Sequence, residues 1–256
     1  MKSTFTKIAL ATAIFTTAFT SLASAKDNNT EKSVVIVHGA FADGSGWDKV
    51  VPLLQAKGLH VVTVQNPLSS LANDVDATTR AINAQKGSVV LVGHSWGGVV
   101  ITEAGDNDKV KSLVYVAAFA PNEGESVTDL TKNLPKAPWV SSLIADSGGY
   151  VSLPPQVIAE YFAPDLSPAQ TQVMAATQGP ILAKSFDEKV HKAAWKAKPS
   201  WYLVASQDKM IEPSLQRQMA KKINAKTSSV NASHVPFISK PEEVAEVILA
   251  AAAAIK

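Results

Sequence analysis

Short, continuously apolar runs alternate with longer segments of helical spacing along most of the chain, and few architectures accommodate that rhythm. The runs are "SVVIVHG" (33–39), "HVVTVQ" (60–65), "SVVLVG" (88–93), "VKSLVYVAAF" (110–119), "SWYLVAS" (200–206) and "KTSSVNA" (226–232). Most lack a polar face, as strands covered on both sides require. Between them, "WDKVVPLLQAKG", "LANDVDATTRAINAQKG" and "WGGVVITEAGDN" have helical spacing and reach glycine or asparagine near their ends, a helix signature. Strand and helix in alternation predict an α/β fold, with a mostly parallel sheet of about six strands flanked by helices. "KPEEVAEVILAAAAAIK" opens on proline followed by acids, which predicts the closing helix.

The rhythm breaks between Pro121 and about Pro199, where prolines and glycines punctuate short segments such as "LPPQVIAEYFAP" and "SPAQTQVMAATQG". Segments this small cannot build a core of their own, so 121–199 is predicted to be a helical cap inserted over one end of the sheet, within a single domain spanning 26–256. "EKVHKAAWKAK" (188–198), at the end of this stretch, reads as a basic, solvated helix.

The first 25 residues stand apart. Lys2 and Lys7 lead into "IALATAIFTTAFT", and "SLASA" then sets Ala23 and Ala25 in the small-residue pattern of a signal-peptidase site. Cleavage after Ala25 and a periplasmic or secreted product are the expectation. That apolar run is too short to cross a bilayer, and no later one reaches spanning length, so no membrane span is expected after cleavage. The formal charge of +2 is carried by lysines that the cleavage removes, and a near-neutral remainder offers nothing to nucleic acid. Cysteine is absent, which excludes disulfides and thiolate metal sites. Neither a metal nor a cofactor is predicted.

Chemistry concentrates in "VVLVGHSWGGVV" (89–100), where an apolar run ends in Gly93-His94-Ser95-Trp96-Gly97 and a helical segment follows. A serine between two glycines at a strand-to-helix turn matches a nucleophile elbow, whose tightness excludes side chains at the flanking positions. Serine is a weak nucleophile, so it needs a base, and the base needs a carboxylate to orient it. His234, in "VNASHVPF", is the histidine that follows the last predicted strand and is the predicted base. His38 and His94 adjoin glycines in tight turns and read as supporting groups; His60 begins a strand, and His191 lies in a polar stretch. Asp208 follows "WYLVASQ" at a strand's carboxyl end and is the predicted acid, with Glu123 in the loop after "VYVAAFA" as the alternative. The oxyanion formed on attack needs two backbone donors. They are assigned to the amide of Trp96 and to the loop "HGAFADGSGW", at Ala40 with Phe41 next. Phe41, Trp139, Tyr161 and Phe162 are candidates to line an apolar substrate pocket.

The chain resembles the α/β-hydrolase superfamily. "VVIVHGAFADGSGWDKVVPLLQAKGLHVVTV", "VVLVGHSWGGVV" and "LVYVAAFAPNEGES" are similar to its small branch of plant methylesterases, hydroxynitrile lyases and bacterial esterases. The likeness extends to "SQDKMI" and "NASHVPFISKPEEVAEVI" and is weak across the insertion. It implies Ser95 as nucleophile, Asp208 and His234 as its partners, Ala40 and Trp96 as oxyanion donors, and no cofactor. The cyanohydrin-cleaving members carry threonine after the first-strand histidine and lysine after the catalytic one, where this chain has Gly39 and Val235. Without that cation, departing cyanide has nothing to stabilise it. The expected activity is therefore hydrolysis of a small apolar ester. An amidase, lactonase or cofactor-free perhydrolase with the same triad, or a slow-turnover small-ligand binder, is the alternative.

Overall fold

The computed structural model describes residues 31–255, so the expected signal segment lies outside the described residues. In chain order, β1 (Lys32–Val37) is followed by a 3-10 turn (Gly44–Trp47), α1 (Val50–Gln55), β2 (His60–Val64), α2 (Leu71–Asn83), β3 (Ser88–His94), α3 (Gly97–Ala104) and β4 (Val110–Val116). After the inserted segment come β8 (Ser200–Ala205), α7 (Pro213–Lys222), β9 (Lys226–Val230), α8 (Pro236–Ser239) and α9 (Pro241–Ala253). The six long strands form one sheet in the order β2-β1-β3-β4-β8-β9, with every neighbouring pair parallel.

The core follows from the apolar runs. Val34–Val37, Val89–Val92 and Leu113–Val116 have no solvent exposure. Each such aliphatic side chain contributes about 2 kcal/mol through burial. Between β1 and β2 the chain moves outward, and between β2 and β3 it moves back across β1. Right-handed connections therefore put α1 on one face and α2 and α3 on the other. The packing agrees, since α1 touches α9 and α2 touches α3. The reversal leaves a crevice beyond the carboxyl ends of β1 and β3, the place where sheets of this kind hold ligands.

The first helix is shorter than the predicted span. Trp47 belongs to the preceding 3-10 turn because its fully buried ring stacks on Phe237, centroids 4.4 Å apart. Past the helix, Gly58 closes the turn at φ +78°.

The inserted segment is mixed rather than purely helical. It contains α4 (Val127–Thr131), β5 (Ile144–Ala145), β6 (Tyr150–Ser152), α5 (Pro155–Val157), a π-helical turn (Ile158–Phe162), α6 (Pro168–Thr177) and β7 (Ile181–Leu182). The three short strands make an antiparallel sheet of their own. A second correction concerns 188–198, which is irregular apart from one 3-10 turn at Ala194–Lys196. Its helical spacing is overridden by tertiary anchors. Val190 and Ala194 are buried, and the Trp195 indole donates to the Pro121 carbonyl at 2.8 Å.

Candidate active site

Ser95 leaves β3 in the left-handed region, at φ +52°. For a serine that conformation costs about 1–3 kcal/mol and persists only where its surroundings enforce it. The surroundings here are specific. The Ser95 amide donates to the Val116 carbonyl, and its own carbonyl accepts from Gly98 at 3.0 Å and Phe119 at 3.1 Å. A Cβ on Gly93 would lie 2.5 Å from the Gly97 carbonyl oxygen, and one on Gly97 would lie 2.3 Å from that of Val37. Both glycines are therefore required by close backbone approach.

His234 reaches the same end of the sheet from the loop after β9. Its Nδ1 lies 2.7 Å from Asp208 Oδ2, with both side chains shielded from solvent. Asp208 is itself held on every side. Oδ1 accepts from the amides of Met210 and Ile211, and Oδ2 also accepts from Gln216 Nε2 at 2.7 Å. Gln216 is in turn fixed by the Ala205 amide at the end of β8. Glu123, the alternative acid, instead faces Lys196 at the surface.

The imidazole of His234 is packed between rings. Phe162 meets it edge-on at 5.1 Å, and His94 lies 4.7 Å away. His94 Nε2 is 2.8 Å from the His234 carbonyl oxygen, so that nitrogen carries the hydrogen. Complete burial lowers the His94 pKa well below the usual histidine range and keeps the ring neutral. Ser95 follows His94 directly in the chain, and His94 packs against the His234 ring, so the elbow and the loop after β9 meet at this end of the sheet. The Ser95 hydroxyl makes no hydrogen bond to a protein group among the described residues, a looseness common in such sites before substrate binds.

The loop after β1 runs alongside the elbow. A Cβ on Gly39 would come within 2.7 Å of Ser95 Cβ. His38 donates through Nδ1 to the Gly39 carbonyl at 2.8 Å and accepts from the Asn66 amide through Nε2 at 2.9 Å. Burial lowers its pKa, so the neutral tautomer that these two bonds need is favoured. Ala40 and Trp96 are buried, and among the described residues neither amide has a protein acceptor. Free, preorganised amides beside a serine are what an oxyanion site requires.

The sequence profile of the alpha/beta hydrolase family matches residues 34–247. The chain belongs to that family. A pyrethroid hydrolase of Sphingobium wenxiniae is 28% identical over 257 residues, covering 86% of this chain and 87% of that protein. Methylesterase 7 of Arabidopsis thaliana is 26% identical, covering 87% of this chain and 97% of that one. Among solved structures, a pyrethroid hydrolase from Sphingobium faniae JZ-2 superposes with a TM-score of 0.74 at 25% identity, over 88% of this chain and 99% of that chain.

In this hydrolase the aromatic candidates take different places. Phe162 is fully buried against the His234 ring, whereas Tyr161 is half-buried with the Lys209 ammonium 6.0 Å from its ring. Trp139 is half-buried in the inserted segment, its indole nitrogen without a partner. Phe41, at φ +59°, lines a groove of about 350 Å³ with Leu166, Met174, Phe237 and Ile238. No group of three or more His, Cys, Asp or Glu side chains among the described residues is placed to hold a metal ion. Sequence reasoning did not find Gln216 on Asp208, nor Asp74, whose carboxylate accepts from the Trp96 indole at 2.8 Å. Neither has a local signal, since each pairing is made by the fold.

Proposed function

We propose that this hydrolase cleaves small apolar carboxylic esters through an acyl-enzyme on Ser95. His234 takes the hydroxyl proton as Ser95 attacks the carbonyl carbon, and Asp208 holds the imidazole with its hydrogen on Nδ1. The amides of Ala40 and Trp96 receive the developing negative oxygen. His234 then gives its proton to the leaving alcohol, and water activated by the same imidazole releases the acid.

The observation that carries this reading is the buried His234–Asp208 hydrogen bond at the sheet end where Ser95 stands at φ +52°. Family membership and ester-cleaving relatives support the reaction class. Val235, following the proposed base, is apolar and fully buried, which supports hydrolysis over cyanohydrin cleavage. The groove beside Phe41 carries Leu166, Met174, Phe237 and Ile238 together with Asp43 and Asp48, a lining that supports an apolar substrate over an anionic one. Turnover of p-nitrophenyl acetate by Ser95→Ala tests the nucleophile. Loss of all enzymatic turnover with an unchanged melting curve is expected, and surviving turnover refutes the assignment. Export belongs to the same proposal: the mature protein begins at Lys26, which N-terminal sequencing of the secreted product checks.

A further inference from the structure

Between Gly93 and Gly97 the elbow has few handles by which the rest of the protein can hold it. The glycines have no side chains, and the Ser95 hydroxyl must stay free for attack. His94 and Trp96 remain. His94 is tied to the His234 carbonyl, and the Trp96 indole donates to Asp74 Oδ2 at 2.8 Å. Asp74, in the first turn of α2, is completely buried, and its other oxygen accepts from the Leu68 amide at 2.8 Å. Leu68 is a leucine in the left-handed region, at φ +56°, in the loop that also supplies Asn66 to His38. One loop thus braces both sides of the oxyanion site.

We propose that Asp74 is a positioning residue for ester hydrolysis: by gripping the Trp96 indole and the Leu68 amide together, it aims the Trp96 backbone N–H at the oxyanion. The inference rests on the proposed roles of Ser95, Ala40 and Trp96. A carboxylate suits the place for a chemical reason. Two donors approach its two oxygens, and an asparagine would set its NH₂ group against one of them. Charge-assisted bonds of this kind are roughly twice as strong as neutral ones. Burial, with the nearby Glu188 carboxylate adding to it, pushes the Asp74 pKa up to about 6, so near neutral pH the acceptor is ionised. Glu188 itself accepts from the Leu71 amide, and the Phe186 ring closes edge-on over Trp96.

The test compares the intact hydrolase with D74N, W96F and the double variant on p-nitrophenyl acetate. Small errors in aiming an oxyanion donor cost about 10–100-fold in rate. D74N and W96F are each expected to lose kcat by that factor with KM nearly unchanged. The double variant should be scarcely worse than either single one, because both remove the same bond. Affinity for a trifluoromethyl ketone, whose adduct carries the oxyanion, should fall in parallel. The ratio of wild-type to D74N kcat should rise as pH passes upward through about 6, where the carboxylate ionises. Wild-type kcat in both single variants, or multiplying losses in the double one, overturns the role. If D74N lacks a cooperative melt, W96F, which leaves the Asp74–Leu68 bond in place, decides alone. Activity surviving in S95A would sink the parent reading instead, whereas an inactive S95A beside a fully active D74N rejects only Asp74.

Discussion

His234 and Asp208 share one hydrogen bond, Nδ1 to Oδ2 at 2.7 Å, sealed from water at the carboxyl end of the sheet. A carboxylate oxygen accepts, so Nδ1 of the imidazole is the donor in this bond and Nε2 is left to face away from Asp208. The three other donors on Asp208 hold that arrangement without help from solvent.

Asp208→Asn keeps the shape but presents an NH₂ group that favours the opposite tautomer of His234. A fall in kcat of about 10³–10⁴-fold on p-nitrophenyl acetate is expected, with folding preserved. A loss under tenfold would mean that Asp208 does not set the tautomer.

Gly39→Ala tests how tightly the first loop rests on the elbow. The added methyl would stand 2.7 Å from Ser95 Cβ, closer than real Cβ contacts, so either the loop or the elbow must yield. Movement of the reacting groups by about 1 Å lowers rate by about 10²-fold. Steady-state kinetics with unaltered kcat would show that this contact is slack.

Asp74 gives stability a definite pH dependence. Its pKa is raised from 3.8 to about 6 in the folded protein, so the native state holds this proton more tightly than the unfolded chain does. That contribution is full below pH 3.8 and is lost as pH rises through about 6. About 3 kcal/mol is involved, at about 1.4 kcal/mol for each pKa unit. Urea denaturation of wild type and D74N should show the wild-type advantage shrinking by this amount between acid and neutral pH. A constant difference would contradict the buried, shifted carboxylate.

The sheet and its elbow were legible because their causes are local. Strands such as Val89–Val92 are buried on both faces and must be apolar throughout, and Gly93 and Gly97 are demanded by backbone contact that any sequence at this turn must respect. Strand order pointed to Asp208, with Glu123 as the alternative, and to His234, and the fold brings Asp208 and His234 within 2.7 Å of each other. The small antiparallel sheet was not legible, since strands of two or three residues carry no period. Residues 188–198 misled because Trp195 and Val190 are held by distant groups that override local spacing. The α7 helix did carry a signal that went unread, in Pro213 at its start and Leu215 and Met219 four apart on its buried side. Asp74 lies in an ordinary amphipathic helix, and nothing short of the fold joins it to Trp96.

Labelling with a fluorophosphonate, followed by peptide mass spectrometry, asks most directly whether Ser95 is activated by His234. The expected result is a rapid, single adduct on Ser95 that is lost in His234→Ala. An adduct on another residue, or labelling of Ser95 at full rate without the imidazole, would contradict it.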